Sequence, residues 1–456
     1  MEIVKSLPYP FLRNCAELLF NYNGEMPFHL FLKQEFKKNP SWGSRDRRNY
    51  RQYCYQFWRK AYYADKSSID SIIRWLKEAN ENGGSTVDKV ENYLAKVDQA
   101  RVDQEKEDQA KEVRVWEDNS EVDSLGFVKL PELSKFVVPI SADESFSFGK
   151  WIQLEPPVWI KVVDKSQYQT IKNRLQELNI PVIHDLVEIG ALAVSGQSNI
   201  NSLEQDGLIL IQDIGSQLSM IWDDVIEAAV LDNSTGMSMV WDACCGAGGK
   251  SLSLRINYPK LDLQCSDIRQ GILDNCLERF GKTGLTAPYI FKHNLANGEN
   301  KKTKFKIVLA DIPCSGSGTW RRNPEERWFY DESQWKAMVS TQLSMIKNAA
   351  SSVTDGGYLI VCTCSLFARE NEGLIQQFLA SANGSRNQNN SSEKFSSVSS
   401  SDKPIATVES ESILRETASS DFSSEDTPIW ELIDQKFCGG FEQDGDYIFR
   451  SILRKL

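Results

Sequence analysis

The chain has 456 residues, of which 41% are hydrophobic and 25% charged, and its formal net charge is −11. This length exceeds what one compact core usually serves and predicts two or three domains. The negative net charge argues against a uniformly basic nucleic-acid binder. The start, MEIVKSLPYPFLRN, lacks a signal-peptide pattern and no later run is long enough to span a bilayer, so we expect a cytoplasmic protein.

The cysteines indicate reduced thiols rather than disulfides or a metal centre. There are ten of them at uneven spacing, no CxxC occurs, and the histidines His29, His184 and His293 lie far apart in the sequence. A secreted disulfide framework belongs to much shorter chains, and zinc requires clustered thiols and imidazoles. The sequence therefore predicts no metal site, and we expect most thiols to lie in the core.

Residues 1–125 predict a helical region whose charge is unevenly distributed. Apolar residues recur at three- and four-residue spacing in PFLRNCAELLFNY, NYRQYCYQFWRKAYY and IDSIIRWLKEAN, as on the buried face of a helix. Residues 33–66 are rich in lysine, arginine and aromatic side chains and net about +7, whereas residues 88–123 net about −6. The acidic stretch is typical of a solvated helix that leads into a linker.

Residues 126–207 predict a small α+β domain. They contain the strand-like runs WIKVV, ALAVSG and LILIQD and one amphipathic helix, KSQYQTIKNRLQELNI. The segment QDIGSQLSMIWDDVIEAAV then predicts a long amphipathic helix over residues 212–230, at the start of a third domain that extends from residue 208 to residue 456.

The sequence of this third domain predicts an α/β fold with a doubly wound, mostly parallel sheet. The apolar strands MSMVWDACC, LDLQCSD, PYIFKH, FKIVLADIP and GGYLIVCTCS alternate with helices, and IWELIDQKFCGG and DGDYIFRSILRKL add two strands at the end. Residues 381–427 break this order because Ser, Asn, Asp and Glu dominate them. We expect a disordered insertion there.

VWDACCGAGGKSLSL places a strand, a glycine-rich loop and a helix start in succession. Its glycines allow backbone amides to approach a ligand, and the helix N-terminus favours a negative group. A P-loop pattern fails because Cys244 stands where its first glycine belongs, and GxGxxG is absent. S-adenosylmethionine is compatible, since Asp267 at the end of the next strand can contact a ribose. A glycine turn without a ligand is the remaining alternative.

Cys314 lies in ADIPCSGSGTWRRNPEERW, directly after a hydrophobic strand. Asp311 ends that strand, so a carboxylate and a thiol can face one planar ring. Arg321, Arg322 and Arg327 follow as candidates for phosphate contacts. Asp311 alone would more often be a helix cap, and the arginines alone are typical of a solvated face. The crowding of these groups with a thiol favours an active site.

Cys364 in GGYLIVCTCSLF leaves the next strand at its carboxyl end, where ligands and chemistry gather in α/β sheets. A thiolate is a soft nucleophile that can add to an electron-poor carbon. Cys362 points the same way by strand alternation, but no other metal ligands are nearby in the sequence. We interpret five further cysteines as core thiols: Cys244, Cys245, Cys265, Cys276 and Cys362.

Together these motifs resemble the Sun/RsmB family of RNA cytosine-5 methyltransferases. The matching stretches are QDIGSQLS, DACCGAGGK, CSD, ADIPCSGSGTWRRNPE, VCTCSLFARENE and DGDYIFRSILRK, which span most of residues 212–456 apart from the insertion. WGSRDRRNYRQYCYQFWR is similar to the helical RNA-binding region of bacterial members. EPPVWIKVV is similar to the start of the small domain that precedes the catalytic domain. The resemblance implies a Rossmann-like class I methyltransferase fold behind a small RNA-recognition-like domain.

The resemblance also implies a role for each matching residue. Cys364 is the implied nucleophile that attacks carbon 6 of cytosine, Cys314 acts in the release of the product, and Asp311 hydrogen-bonds the cytosine edge. S-adenosylmethionine is the implied cofactor and RNA the implied partner. The implied cofactor contacts are Cys244, Cys245, Gly246, Ala247, Gly248, Gly249, Lys250, Asp267, Asn294 and Asp311, and the expected RNA contacts are Arg45, Arg47, Arg48, Arg321 and Arg322.

Two residues depart from the family pattern. Ala247 occupies a position that is usually proline, and Asn294 stands where an acid often contacts adenine; neither change touches the thiols. The leading prediction is a monomeric methyltransferase of ribosomal RNA. Transfer RNA as the substrate and an RNA-binding assembly factor without catalysis are alternatives. A DNA cytosine-5 methyltransferase would lack the thiol in TCS and the helical domain.

Overall fold

A computed structural model describes residues 10–60, 72–73, 76, 152–196, 198–225, 229, 239–298, 303–330, 332–384 and 429–456. The predicted acidic stretch at 88–123 lies outside these residues, as does nearly all of the predicted insertion at 381–427. Of the predicted helix in IDSIIRWLKEAN, three residues are described and all are helical. Among the described residues, none of the helices combines the length and the apolar character that a membrane crossing requires.

Three helices form the N-terminal region: α1 (Pro10–Asn21), α2 (Phe28–Lys38) and α3 (Ser44–Lys60). α1 and α3 coincide with the first two apolar segments of the sequence, and α2 lies between those segments. Side chains at helical spacing, such as Leu12 and Trp58, are completely buried where the helices meet. Aromatic rings make up much of this core, which therefore depends on edge-to-face contacts.

The small domain is a four-stranded antiparallel sheet covered by helices. Ile160 and Val162 of the sheet pack against Ile171 and Leu175 of the longer helix. The strands have the order β2-β3-β1-β4, and one of them, β2, was not predicted because it is an edge strand without a fully buried residue. The elements are β1 (Val158–Val162), α4 (Tyr168–Glu177), β2 (Val182–Leu186), β3 (Ala191–Val194), α5 (Asn201–Gln205) and β4 (Ile209–Ile211).

The third domain contains a seven-stranded sheet in the order β10-β11-β9-β8-β5-β6-β7. Five strands are parallel, and β11 pairs antiparallel with both β9 and β10. All seven strands predicted from the sequence are present, because continuous apolar runs are what a sheet buried on both faces requires. The strands are β5 (Met239–Asp242), β6 (Asp262–Asp267), β7 (Tyr289–Lys292), β8 (Phe305–Asp311), β9 (Val353–Thr363), β10 (Trp430–Gly439) and β11 (Tyr447–Lys455).

Helices cover both faces of this sheet, as the doubly wound prediction requires. One core cluster joins the sheet to two helices on one face, and a second cluster joins it to two helices on the other. The first pair is α7 (Gly249–Asn257) and α8 (Gln270–Thr283), and the second is α9 (Glu332–Ser351) and α10 (Glu372–Asn383). The predicted α/β class is therefore confirmed.

The prediction of one long helix over residues 212–230 is wrong for the first part of this segment. The structure has a five-residue helix there, α6 (Ile214–Leu218), after which the chain turns. A tertiary contact fixes where this helix begins, because Asp213 accepts hydrogen bonds from the N–H groups of both Gly215, at 2.8 Å, and Asp446, at 3.0 Å. This carboxylate caps the short helix and ties it to the residue before β11.

The N-terminal helices pack directly on a loop of the catalytic domain that follows β8. The carbonyl oxygen of Trp58 accepts hydrogen bonds of 2.8 Å from the side chains of both Arg327 and Trp328. The buried carboxylate of Glu325 accepts one of 3.1 Å from the N–H of Phe28, at the start of α2. Arg327, predicted as a phosphate contact, is therefore used to hold two regions of the protein together.

Candidate active site

The carboxyl ends of two adjacent strands bring the two candidate cysteines together. β8 and β9 pair in parallel, so the loops that follow them leave the sheet at the same edge. Cys314 Sγ lies 3.3 Å from Cys364 Sγ, and the backbone N–H of Cys364 donates a hydrogen bond of 3.2 Å to Cys314 Sγ. The structure thus places the two thiols in direct contact. We call the two loops, residues 314–318 and 364–371, the thiol edge.

The environment of Cys314 keeps it in the neutral form. Its hydrogen bond with the Cys364 thiol, followed by burial, raises the pKa of Cys314 well above its usual range, and the carboxylate of Glu370 adds to this effect. Cys314 therefore remains a thiol at neutral pH and can donate a hydrogen bond or a proton. Cys364 is half-buried at the end of β9, where a substrate can reach it.

Asp311 is held by a buried cation. Lys250 Nζ lies 2.7 Å from Asp311 Oδ2, and the side chains of the two residues are 12% and 31% exposed. Burial by itself lowers the pKa of Lys250, but Asp311 outweighs burial and, with the nearby cysteine side chains, raises that pKa above its ordinary value. Lys250 is consequently a permanent positive charge at the start of α7 that orients the carboxylate at the end of β8.

A buried carboxylate joins the two loops of the thiol edge. Glu370 is 1% exposed and accepts hydrogen bonds of 2.9 Å from the N–H of Ser315 and from the side chain of Gln342. The Ser365 hydroxyl donates to its other oxygen. Sequence analysis did not single out Glu370, although it lies in the quoted stretch VCTCSLFARENE. An acidic residue beside a strand end was the available signal, and its burial could not be foreseen.

Two further contacts lock the thiol edge. The N–H of Leu366 donates a hydrogen bond of 2.8 Å to the Ser317 hydroxyl, and the N–H of Gly318 donates one of 2.9 Å to the carbonyl oxygen of Cys364. A Cβ atom at Gly318 would lie 2.3 Å from the carbonyl oxygen of Tyr447. The chain can make this turn only with glycine, because backbone atoms fill the space that a side chain would need.

The predicted cofactor loop, residues 244–249, joins β5 to α7 through two glycines with positive φ. Gly248 has a φ of +77°, and a Cβ atom there would lie 2.4 Å from Cys276 Sγ, so the loop must pack closely on α8. Gly246 has a φ of +54°, but nothing lies within 4 Å of the position of its missing Cβ. Packing therefore requires glycine at position 248, whereas Gly246 faces open space.

Asp267 stands beside this loop as an ionised acceptor. Its Oδ2 accepts a hydrogen bond of 3.2 Å from the N–H of Gly246, and Arg269 donates to it from both backbone and guanidinium at 2.9 to 3.1 Å. Burial raises the pKa of Asp267, but these hydrogen bonds outweigh burial and lower it below the usual range. A carboxylate has further lone pairs, so it can also accept from a ligand hydroxyl.

These residues fit S-adenosylmethionine. The open space over Gly246 allows the backbone to approach a ligand, the amides at the start of α7 suit a carboxylate, and Asp267 suits ribose hydroxyls. At the end of β5, the buried Oδ1 of Asp242 has no hydrogen-bond partner among the described residues. The cofactor loop, Asp267 and the unpaired oxygen of Asp242 all lie at the carboxyl edge of the sheet, as do the thiols.

The two residues that depart from the family pattern make internal contacts. The carbonyl oxygen of Ala247 accepts a hydrogen bond of 2.8 Å from Arg279, which holds the loop where a proline ring would otherwise stiffen it. The Asn294 side chain accepts one of 3.1 Å from the N–H of Ala296 and caps a short 3-10 turn. Asn294 therefore shapes the rim of the site through its side-chain oxygen.

The predicted core cysteines fall into two groups. Cys245, Cys265, Cys276 and Cys362 are buried, and burial raises the pKa of Cys362 above its usual range. Cys244 is instead half-buried at the rim of the cofactor loop, where it differs from the prediction of a core thiol. Cys362 is buried because all residues of β9 from Gly357 to Thr363 are buried in a sheet that is covered on both faces.

Arg321 has a different role from the predicted phosphate contact. Its side chain is 2% exposed, and its guanidinium donates to the carbonyl oxygens of Leu154, at 3.3 Å, and Glu155, at 3.1 Å, and pairs with Asp444. Because the N–H donors of this guanidinium bind acceptors inside the protein, Arg321 is not placed to contact an RNA phosphate. The neighbouring Arg322 is 49% exposed and pairs with Asp446, so it remains on the surface.

The three RNA contacts predicted in the helical region also differ in how exposed their side chains are. Arg45 and Arg48 are exposed in the first part of α3. Arg47 is half-buried: it donates a hydrogen bond of 2.8 Å to the carbonyl oxygen of Trp42 and lies 5.9 Å from the centre of the Phe36 ring. Two of the three cations are therefore placed to meet a phosphate backbone.

Comparison with known sequences points to one family. Residues 228–413 match the family model of the 16S rRNA methyltransferases RsmB/F. The ribosomal RNA small subunit methyltransferase B of Pasteurella multocida is 25% identical over 234 residues, which are 49% of this chain and 50% of that protein. That of Shewanella oneidensis is 26% identical over 243 residues, 51% of this chain and 54% of that protein. The chain thus spans about half the length of these curated relatives.

Comparison with solved structures supports the fold over the whole chain. The crystal structure of PH0851 superposes with a TM-score of 0.62 at 18% identity and covers 98% of this chain and 99% of that one. The predicted Rossmann-like class I methyltransferase fold is confirmed, and S-adenosylmethionine, the predicted cofactor, is the one that this family uses. The part of the chain that carries the cofactor loop and both cysteines, residues 228–413, is the part that matches the RsmB/F methyltransferase family model.

Proposed function

We propose that this protein transfers a methyl group from S-adenosylmethionine to carbon 5 of a cytosine in RNA, through a covalent bond between Cys364 and the base. The observation that carries the proposal is the 3.3 Å contact between Cys314 Sγ and Cys364 Sγ, at the edge that also holds the pair of Lys250 and Asp311. Two thiols in contact suit a reaction in which one is the nucleophile and the other assists its departure.

The chemistry follows from the low reactivity of carbon 5 of cytosine. When the Cys364 thiolate adds to carbon 6, a C–S bond forms and the electron pair of the C5–C6 double bond becomes available at carbon 5. Bound S-adenosylmethionine supplies an electrophilic methyl group for that carbon. Removal of the carbon-5 proton by a base then restores the double bond while the C–S bond breaks. The neutral thiol of Cys314 donates a hydrogen bond to the leaving sulfur, which stabilises it as a thiolate.

Asp311 and Lys250 position the ring. The partly exposed carboxylate of Asp311 can accept a hydrogen bond from the amino group of cytosine and so hold carbon 6 toward Cys364. Lys250 fixes this carboxylate and places a positive charge where the adduct gains negative charge. These three residues come from three different elements, which the sheet edge brings together.

Ribosomal RNA is the substrate that we propose, with the cytoplasm as the place of action. The curated relatives are named for ribosomal RNA of the small subunit. Exposed Arg45 and Arg48 on α3 provide cations for a phosphate backbone. Transfer RNA is the alternative substrate, and a catalytically silent RNA-binding protein is the alternative function.

Replacing the nucleophile tests the proposal. Cys364→Ala should abolish methyl transfer to small-subunit ribosomal RNA but leave S-adenosylmethionine binding, measured by calorimetry, unchanged. Cys438→Ala is the matched control, since it removes a buried thiol from β10, outside the site, and should retain activity. Substantial activity of Cys364→Ala would overturn the assignment of the nucleophile.

Replacing the second thiol tests the release step. Cys314→Ala should accumulate a protein–RNA adduct that survives denaturing electrophoresis, because the C–S bond forms but breaks slowly. Clean turnover would count against its role. Bisulfite sequencing of RNA from cells that lack the protein identifies the substrate: a cytosine that loses its mark in ribosomal RNA supports our choice, one in transfer RNA supports the alternative, and no change in any RNA contradicts the proposed function.

A further inference from the structure

A cavity of about 290 Å³ lies between the N-terminal helices and the thiol edge. Tyr22 and residues 24–27 line it from the helical side, and Cys314 and Ser315 are among the residues that line it from the other side. Among the described residues, neither Cys364 nor any residue of the cofactor loop lines this cavity. It therefore adjoins the space for the reacting cytosine without being that space.

The walls of this cavity include aromatic rings held in place by their own contacts. The rings of Tyr22 and Phe329 meet edge to face with centroids 5.2 Å apart, and the Tyr22 hydroxyl donates a hydrogen bond of 2.7 Å to the carbonyl oxygen of Met26. Gly24 has a φ of +80°, and a Cβ atom there would lie 2.4 Å from the Phe329 ring. The Phe329 ring thus packs directly on the backbone of Gly24. Because Tyr22 is only 6% exposed and packs in the helical core, the half-buried Phe329 is the ring of this wall that can stack with a planar base.

Glu326 adds a hydrogen-bonding group to this cavity. Its Oε2 lies over Gly316, since a Cβ atom there would be 3.1 Å away, so the carboxyl group is close to the turn after Cys314. Within the described part of the chain, no residue forms a hydrogen bond with this carboxyl group. Burial, and then the neighbouring Glu325, raise the pKa of Glu326 to about 7, while Arg322 opposes them. A half-buried carboxyl group of this kind gains from a ligand that brings donors.

We infer that this cavity holds the unpaired nucleotide next to the target cytosine and that Glu326 makes guanine the preferred base there. The inference rests on the proposed function, since it assumes RNA at the thiol edge. Guanine presents N1–H and N2–H₂ side by side, which match the two oxygens of a carboxylate. Adenine and cytosine present an amino group beside an acceptor, and uracil presents one N–H between two acceptors, so each offers Glu326 fewer donors.

The N-terminal helical region would then do more than attract phosphates. It supplies one wall of the cavity through Tyr22, while its exposed Arg45 and Arg48 carry the charge. The hydrogen bond between Glu325 and the N–H of Phe28 keeps that wall against the catalytic domain. Sequence context around the cytosine is therefore read where the two regions meet.

The test uses the RNA fragment around the methylated cytosine that bisulfite sequencing identifies, made with each of the four bases at either neighbouring position. For the unmodified protein, kcat/KM should be about 5-fold or more higher with guanine at one of the two positions. Glu326→Gln should lose most of this preference, because its amide cannot accept both donors. Glu177→Gln, a change of an exposed carboxylate on α4, is the matched control and should keep it.

A second variant tests the aromatic wall. Phe329→Leu should raise KM for the preferred RNA by about 5-fold or more, because a leucine side chain cannot stack on a base, and should leave the single-turnover rate at saturating RNA unchanged. Thermal unfolding confirms that the variant is folded. If the protein methylates every version of the RNA equally, or if Glu326→Gln keeps the guanine preference, the inference is wrong while the proposed function stands. If no RNA is methylated, both fail.

Discussion

The thiol edge and the cofactor loop lie at the same end of the sheet but are built in opposite ways. In the thiol edge, the side chains of Glu370 and Ser317 accept hydrogen bonds that join the two loops, and backbone fills the space next to Gly318. In the cofactor loop, Gly246 faces open space and the buried Asp242 retains an oxygen without a described partner. The difference indicates that the protein itself fixes the reacting thiols, whereas the loop leaves contacts for a ligand to complete.

The largest expected effect comes from Gly318→Ala in the thiol edge. The new methyl group would lie 2.3 Å from the carbonyl oxygen of Tyr447, and backbone on both sides leaves it nowhere to move. We expect a loss of about 3–4 kcal/mol in the free energy of unfolding, or failure to fold, measured by urea denaturation. A variant as stable as the unmodified protein would show that the two loops are not tightly clamped.

A pH effect is expected on the cofactor side. Burial, together with the Asp311 carboxylate, raises the pKa of Asp242 to about 7. The native state therefore binds a proton that the unfolded state has lost between about pH 4 and pH 7, so the free energy of unfolding falls as the pH rises through this range, by roughly 2–3 kcal/mol. Asp242→Asn keeps an acceptor for the Ser251 hydroxyl but does not titrate. Parallel pH profiles for the two proteins would contradict this account.

Removing the carboxylate of the thiol edge should be somewhat milder. Glu370→Leu leaves the N–H of Ser315 and one N–H of the Gln342 amide without an acceptor, although the amide keeps its hydrogen bond to Pro313. We expect this loss to cost about 2 kcal/mol and to lower kcat by roughly 10-fold or more because the thiols lose their geometry. Glu370→Gln is the matched control, since it keeps one oxygen that both donors can share. Unchanged kcat in Glu370→Leu would show that the network does not position Cys314.

The smallest effect on stability is expected at Gly246. Gly246→Ala meets no neighbouring atom, so only the positive φ penalises it, by about 1 kcal/mol. Its methyl group would nevertheless occupy the space that we assign to the ligand, and we expect the affinity for S-adenosylmethionine, measured by calorimetry, to fall about 10-fold or more. Unchanged affinity would place the cofactor elsewhere and remove the contrast with Gly318.

The sequence predicted those features that depend on local pattern. Apolar runs predicted all seven strands of the larger sheet, and the motifs predicted that Cys314 and Cys364 each follow a strand. It did not predict β2, whose residues alternate between partly buried and exposed. It also did not predict that the helix begins at Ile214, where Asp213 caps it and accepts a hydrogen bond from the distant N–H of Asp446. Arg321 and Arg322 are adjacent in one motif, yet only the fold buries the first and leaves the second exposed.

By itself, then, the amino-acid sequence determined the α/β class, the family resemblance and the two thiols, because hydrophobic periodicity and short motifs are properties of neighbouring residues. The tertiary structure decided what surrounds them: the 3.3 Å contact between the thiols, the burial of Glu370, and the cavity between Tyr22 and Glu326. These features join residues up to about three hundred positions apart. Their formation depends on packing and desolvation across the whole fold, which no local pattern encodes.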